Sequence, residues 1–392
     1  MNRVVITGLG MVTPLGRTAV ETFRRLCLGE IGVKEIDGPG YEDFSDLPVR
    51  VAGILPNGLG KKTYQWLSVE TAKEAYKDSG LSEKHEIGVV FGTDNSSFNY
   101  LQNVRNVVSE KGLPGLDSEF ANNYSVSSNI NEISKEICIN GYSSVITAGF
   151  ATGQASVIHA YNAIKYQHAS VILAGSSEDY INPSFLMSLY KAGYMSREGE
   201  INSCRPFDIA RDGLIYSNGS ACLVLESLEH ALSRNARIYC EVVGTGFITN
   251  TNKDSMHLAP RECMKKAIDK AGVNGKDVSI VNCDASGYRQ FDEWEANGVE
   301  ELCQNSLVTS HKGNLGHMIS ASGSCQSALS CLMLSNNEVP PVGNLIIPTV
   351  ENLNYVCRES SKGEYDYAIS NSYSYDAGVF TSILLKKLKV HA

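Results

Sequence analysis

The stretch SSVITAGFATGQAS, residues 143–156, decides the fold. An apolar run, Val145-Ile146-Thr147, enters a turn of small residues, and a helical pattern opens near Gly153. Strand, tight turn and helix in immediate succession are the unit of an α/β protein. At such a turn the first N–H groups of the helix lack intrahelical partners and face whatever the tip presents. Cys or Ser there would be a nucleophile. The residue at the tip is Phe150, whose benzyl group can attack nothing.

The same alternation runs outward in both directions. Strand-like runs occur at Val4–Leu9, Ile87–Phe91, Val145–Ala148, Val171–Ala174, Ala221–Leu225 and Ile238–Val243. Helical spacing relates Ile130, Ile133 and Ile137, and then Val157, Ala160, Tyr161 and Ile164. The remainder repeats the scheme, with helix Arg261–Ala271, strand Val278–Asn282, helix Glu293–Leu302, a long helix over Gly316–Ser335, and closing strands Tyr367–Ser370 and Val379–Leu385. This predicts α/β layers with a mostly parallel sheet. VILAGSSEDY followed by GSACLVLES also has a counterpart in YAISNSYSYD followed by GVFTSILLKK. We read an internal duplication of a βαβ-rich unit with its joint near residues 245–258, dividing the chain into halves 1–250 and 251–392. No low-complexity linker separates them, so they are expected to pack as one body.

Composition narrows the function. The chain has 392 residues, 43% hydrophobic and 20% charged, as in an ordinary globular protein able to bury a large core. A net charge of −9 without a Lys/Arg cluster argues against nucleic-acid binding. The 11 cysteines are scattered and form no CxxC pair, so neither a disulfide framework nor a zinc knuckle is expected. They read as free thiols in a reducing compartment. The opening MNRVVITGLGMVTPLG reads as a strand and its turn rather than a leader, and no uncharged apolar run is long enough to cross a membrane. A cytoplasmic protein without metal or cofactor is expected.

Three segments carry more specific information: RVVITGLGMVTPLG at the start, RPFDIARDGLIYSNGSACLVLESLEHA at 205–231, and SHKGNLGHMISASG at 310–323. Together they resemble the β-ketoacyl-carrier-protein synthases of the thiolase-like fold, in order and over essentially the whole chain. The resemblance implies duplicated halves in a five-layered α-β-α-β-α arrangement that dimerises. It also implies chemistry: a cysteine at a strand-to-helix elbow takes an acyl chain, and two histidines assist decarboxylation and condensation of a malonyl extender. A helix N-terminus stabilises the thiolate. Neutral imidazole N–H groups stabilise the enolate oxygen as charge develops, and condensation is acyl transfer from sulfur to carbon.

Against that template several related positions differ. The elbow cysteine is replaced by Phe150. The first histidine, normally after a strand, is replaced by Asp284 in Val281-Asn282-Cys283-Asp284-Ala285-Ser286, with Asp292 and Glu295 downstream supporting the register. The second histidine is kept as His317 and its companion lysine as Lys312. The loop that helps form the oxyanion hole reads Ser374-Tyr375-Asp376-Ala377, with Tyr375 and Asp376 as its remnant. An ionised Asp284 only accepts hydrogen bonds. Unpaired and about 4 Å from an enolate, at an effective dielectric near 20, it would oppose the reaction by roughly 4 kcal/mol. Asp284 is also a candidate to pair with Lys312 or His317, and Cys283 is expected to lie on a buried strand end.

The resemblance supplies a role for such a chain. Type II polyketide pathways pair a cysteine-bearing ketosynthase with a sister subunit, the chain length factor, which lacks the cysteine and helps enclose the tunnel into which the product grows. Typical members carry glutamine at the lost cysteine, and Phe150 departs from that. By the same resemblance Phe98, Tyr100, Leu101 and Phe120 line or plug the tunnel, and the strand around Ser144–Ala148 pairs across a two-fold axis in an apolar interface above roughly 2,000 Å². The acidic acyl carrier protein would dock mainly on the partner. The alternatives are an autonomous homodimer, either a malonyl-carrier-protein decarboxylase or a thioester hydrolase using Asp284 and His317, and the inactive subunit of a polyene system.

Overall fold

In this computed structural model, residues 1–37, 42–56, 63–82, 84–94 and 98–388 are described. Among the described residues 11 strands form one large sheet, beside two small two-stranded ones, and the order of the large sheet displays the duplication. Read from one edge, Ser143–Ile146, Gly88–Gly92, Val171–Glu178, Gly219–Ser227 and Val4–Val12 make the first half. From the other side, Leu307–Thr309, Ile280–Asn282, Tyr367–Ser374, Val379–Lys386 and Cys240–Thr249 make the second, with Asn354–Tyr355 added beyond Leu307–Thr309. In each half the first two pairings are parallel and the next two antiparallel. The halves meet where Val4–Val12 pairs with Cys240–Thr249.

Layering follows from which faces are apolar. Helices Thr152–Lys165 and Ala321–Asn336 pack on each other and touch strands of both halves, so they form the central layer. Their sequences, rich in Ala, Ser and Gly, are buried almost all round, as a helix enclosed on every side must be. Helices Thr63–Ser79 and Ser128–Ile137 cover the first half from outside, and Ala259–Ala271 and Arg289–Cys303 cover the second. Glycines mark the duplication again. A Cβ on Gly10 would lie 2.0 Å from the Thr71 carbonyl oxygen, and one on Gly244 would lie 2.0 Å from that of Ala267. Each half thus uses a bare strand backbone to seat its outer helix. Among the described residues no helix is long and apolar enough to cross a membrane.

Most expected boundaries shift by a few residues, among them the following. The strand near Phe150 is Ser143–Ile146 rather than Val145–Ala148. The strand expected from Ile238 starts at Cys240. The expected helix over Gly316–Ser335 begins at Ala321, because Gly316 (φ +76) and Ile319 (φ +50) leave the helical region. The non-helical link takes part in the strand framework instead: the His317 N–H donates to the Ile215 carbonyl at 2.7 Å, and the Ser217 N–H to that of His317 at 3.0 Å. This break presents His317 to the turn at Phe150.

Candidate active site

The turn itself is rigid. Thr152 Oγ1 accepts from the Ala148 N–H and donates to the Gly149 carbonyl, both at 2.7 Å. The Gly153 N–H donates to the Ser320 carbonyl at 3.0 Å. Gly149 has φ +58, and a Cβ there would lie 2.3 Å from Ser374 Oγ. That crowding reflects a contact not readable locally: the Phe150 N–H donates to Ser374 Oγ at 3.0 Å. The amide at the tip of the elbow is therefore already engaged.

The half-buried Phe150 ring meets His317 edge-on at 5.0 Å between centroids, and Tyr216 lies 5.8 Å beyond His317. His317 Nδ1 accepts from the Ile319 N–H at 3.0 Å, which leaves the ring proton on Nε2. Burial, reinforced by the Lys312 charge, holds His317 well below its ordinary pKa, so it is a neutral imidazole.

Asp284 and Lys312 are brought together. Lys312 Nζ donates to Asp284 Oδ1 at 2.5 Å and also to the Asp284 carbonyl, with both side chains buried. Burial pushes the Asp284 carboxyl up to about 6, with Lys312 opposing. The carboxylate faces an ammonium, whereas the ring acceptor of His317 is spent on Ile319. The acidic residues downstream hold backbone. Glu295 accepts from the Asp284 and Ala285 N–H groups at 2.9 and 2.8 Å, and Asp292 accepts from those of Ser286 and Phe207, both at 2.9 Å. Cys283 is fully buried and its thiol is pushed well up by that burial, which makes it inert.

The loop beyond Ser374 is clamped. Tyr375 stacks on Phe291 at 3.6 Å and 7°, and its hydroxyl donates to the Phe291 carbonyl at 3.3 Å. Asp376 is exposed. The tunnel candidates fall into two groups. Phe98 reaches the Phe150 neighbourhood through Phe185 and Tyr216, whereas Tyr100 and Phe120 stack on each other at 6.2 Å. Leu101 faces outward and is 36% exposed.

Sequence reading missed Ser374 as a partner of Phe150, the rings Tyr180, Phe185 and Tyr216, and Glu178. The last had a signal, a carboxylate closing the apolar strand Val171–Glu178. Glu178 is fully buried and accepts from Thr93 Oγ1 at 2.9 Å and Ser320 Oγ at 2.6 Å, and among the described residues its Oε2 has no hydrogen-bond partner. Burial pushes its carboxyl up from 4.5 to about 8. The folded state keeps a proton that the unfolded chain releases, so this contribution is complete at acid pH and is lost as pH rises from about 4.5 to about 8. The slope is at most about 1.4 kcal/mol per pH unit. Glu178→Gln is expected to flatten the fall of Tm between about pH 5.5 and 8.5, measured by thermal unfolding; an unchanged slope would show that Glu178 is ionised in the fold.

The sequence matches the beta-ketoacyl synthase N-terminal domain over residues 1–231 and the C-terminal domain over residues 239–345. The chain belongs to the β-ketoacyl synthase family. Among curated relatives of this chain, a mitochondrial protein of Schizosaccharomyces pombe assigned as a putative 3-oxoacyl-[acyl-carrier-protein] synthase is 31% identical, with 99% of each chain covered. The 3-oxoacyl-[acyl-carrier-protein] synthase 2 of Coxiella burnetii is 27% identical over 97% of this chain and 98% of its own. Two solved structures share the synthase fold. A type II polyketide ketosynthase in complex with its acyl-carrier protein superposes with TM-score 0.91 at 24% identity, covering 99% of this chain and 100% of the other. The ishigamide ketosynthase/chain length factor superposes with TM-score 0.86 at 22% identity, covering 99% of each.

Proposed function

We propose that this chain is a chain length factor: it performs no condensation itself, pairs with a cysteine-bearing ketosynthase and shapes the tunnel into which that partner extends the product. The observation that carries this reading is the elbow, where a phenyl ring stands at the nucleophile's position and the tip amide is spent on Ser374 Oγ. The Asp284–Lys312 pair adds to it, since an acceptor-only carboxylate stands at the place of an enolate donor. A fixed, filled site of this kind suits a subunit kept for shape.

The partner's place is suggested by the sheet edge. Among the described residues Ser143–Ile146 pairs only with Gly88–Gly92, and all four of its residues are at least partly exposed. Tyr124 and Val126 are exposed at 53% and 62%. Open sheet edges and exposed apolar side chains are both features that proteins normally cover. The chain's charge of −9 leaves docking of an acidic carrier protein to basic residues of the partner.

The test supplies malonyl- and acyl-carrier protein to this chain, to a cysteine-bearing ketosynthase that copurifies with it, and to both together. The expected result is product from the pair and neither product nor carbon dioxide above background from this chain alone. Decarboxylation by the isolated chain would overturn the reading in favour of an autonomous enzyme.

A further inference from the structure

Helix Phe98–Lys111 stands out for how little of it rests on the body. Residues such as Leu101, Arg105 and Glu110 are exposed, and along its length the helix packs chiefly on the segment that follows it, the turn Leu113–Gly115 and helix Phe120–Tyr124. Tyr100 is its buried residue. Among the described residues, the remaining side-chain attachments are in the first turns and reach one segment, 179–185. Asn99 Nδ2 donates to the Asp179 carbonyl at 2.8 Å, Asn182 Nδ2 donates to Gln102 Oε1, and the Phe98 ring meets Phe185 at 6.4 Å.

That segment is itself firmly held. Asn218, fully buried, accepts from the Tyr180 and Ile181 N–H groups at 2.7 and 3.1 Å and donates to Asp179 Oδ1 at 2.8 Å. Asn182 Oδ1 caps helix Pro183–Ala192, accepting from the Ser184 N–H at 3.0 Å. Phe185 packs on Tyr180 at 4.1 Å and on Tyr216 at 6.2 Å, and Tyr216 leads through His317 to Phe150. A continuous line of rings thus runs from the filled elbow to the first turn of the outer helix.

We infer that Asn182 and Phe185 are positioning residues for helix Phe98–Lys111, so that product length in the assembled pair is set partly by side chains that never touch the growing chain. The inference rests on the chain length factor reading, which gives that helix its place at the tunnel. One amide of Asn182 does two jobs, its oxygen capping one helix and its nitrogen holding the other. Phe150 in turn is more than filler, because removing it would loosen the row of rings behind Phe185.

Two substitutions break the Asn182–Gln102 link and leave the cap intact. Asn182→Ser keeps a good capping oxygen but is too short to reach Gln102. Gln102→Leu removes the acceptor from the other side. In the complex with the partner ketosynthase, each is expected to speed amide hydrogen exchange in helix Phe98–Lys111 by at least about fivefold while helix Pro183–Ala192 keeps its protection. Each is also expected to raise the fraction of product one two-carbon unit longer by about threefold or more, and the double variant to add little to either single one. Unchanged exchange in both variants would overturn the link. Faster exchange with an unchanged product distribution would overturn its role in length control. A wild-type pair that makes no product would instead refute the chain length factor reading, and the exchange measurement would still report on the link.

Discussion

Phe150→Cys is expected to leave condensation at least about four decades below that of a cysteine-bearing ketosynthase. A thiol at this elbow would sit at the N-terminus of helix Thr152–Lys165, where a thiolate is favoured. The obstacles are the groups around it. The amide of residue 150 donates to Ser374 Oγ, so one donor needed for a developing oxyanion is occupied. Loss of one such donor costs about 10²–10³ in rate. Asp284 stands where the resemblance places an imidazole donor, and removes a second. The electrostatic penalty is smaller than for a bare carboxylate, because Lys312 neutralises Asp284 at 2.5 Å. The missing hydrogen-bond donor therefore decides the outcome, not repulsion. Adding Asp284→His and Ser374→Gly to Phe150→Cys is expected to recover part of the loss. The check is transfer of a labelled acyl group to residue 150, followed by condensation with malonyl-carrier protein. Single-variant rates within about tenfold of a cysteine-bearing ketosynthase would contradict this picture.

Much of this architecture is legible in the chain, for identifiable reasons. The strand-to-helix turn at Phe150 and the paired strands Val171–Glu178 and Tyr367–Ser374 show as short apolar runs bounded by small residues, because local periodicity specifies them. The start of helix Ala321–Asn336 was not legible. Ala- and Ser-rich sequence is compatible with helix throughout, and Ile319 takes a φ of +50, rare for a β-branched residue, in a link whose backbone is bonded to the distant segment 215–217. The site divides in the same way. Asp284, Lys312 and His317 could be found because their motifs are local. The Ser374 contact to Phe150 spans 224 residues, and no local pattern reports it. The rings Tyr216 and Phe185 read as ordinary core residues until the fold sets them in line between Phe150 and Phe98.

Lys312→Met is expected to destabilise the fold by about 3–5 kcal/mol near pH 8, the cost of leaving a buried charge without its partner. Asp284 and Lys312 are each more than nine-tenths buried, and the ammonium also holds the Asp284 carbonyl. Without Lys312, the burial that already raises the Asp284 carboxyl to about 6 acts unopposed, and its pKa rises further. Protonation then relieves the unpaired charge, so the deficit should shrink as pH falls towards about 5. A second change, Asp284→Leu, removes the orphaned carboxylate and is expected to restore most of the loss, since an apolar pair of similar volume tolerates burial well. Denaturant unfolding of both variants at about pH 8 and pH 5 is the check. A Lys312→Met protein within about 1 kcal/mol of wild type at pH 8 would show that the pair is not structural, and would make Asp284 available again for acid–base chemistry.

Pairing with a cysteine-bearing ketosynthase is the part of the proposal on which the rest depends. The most direct measurement is native mass spectrometry of the chain purified through a mild affinity tag from the cells that make it. The expected spectrum is a one-to-one complex with a chain of similar mass that carries cysteine at the elbow. A homodimer of this 42.6 kDa chain, with no second protein bound, would contradict the account.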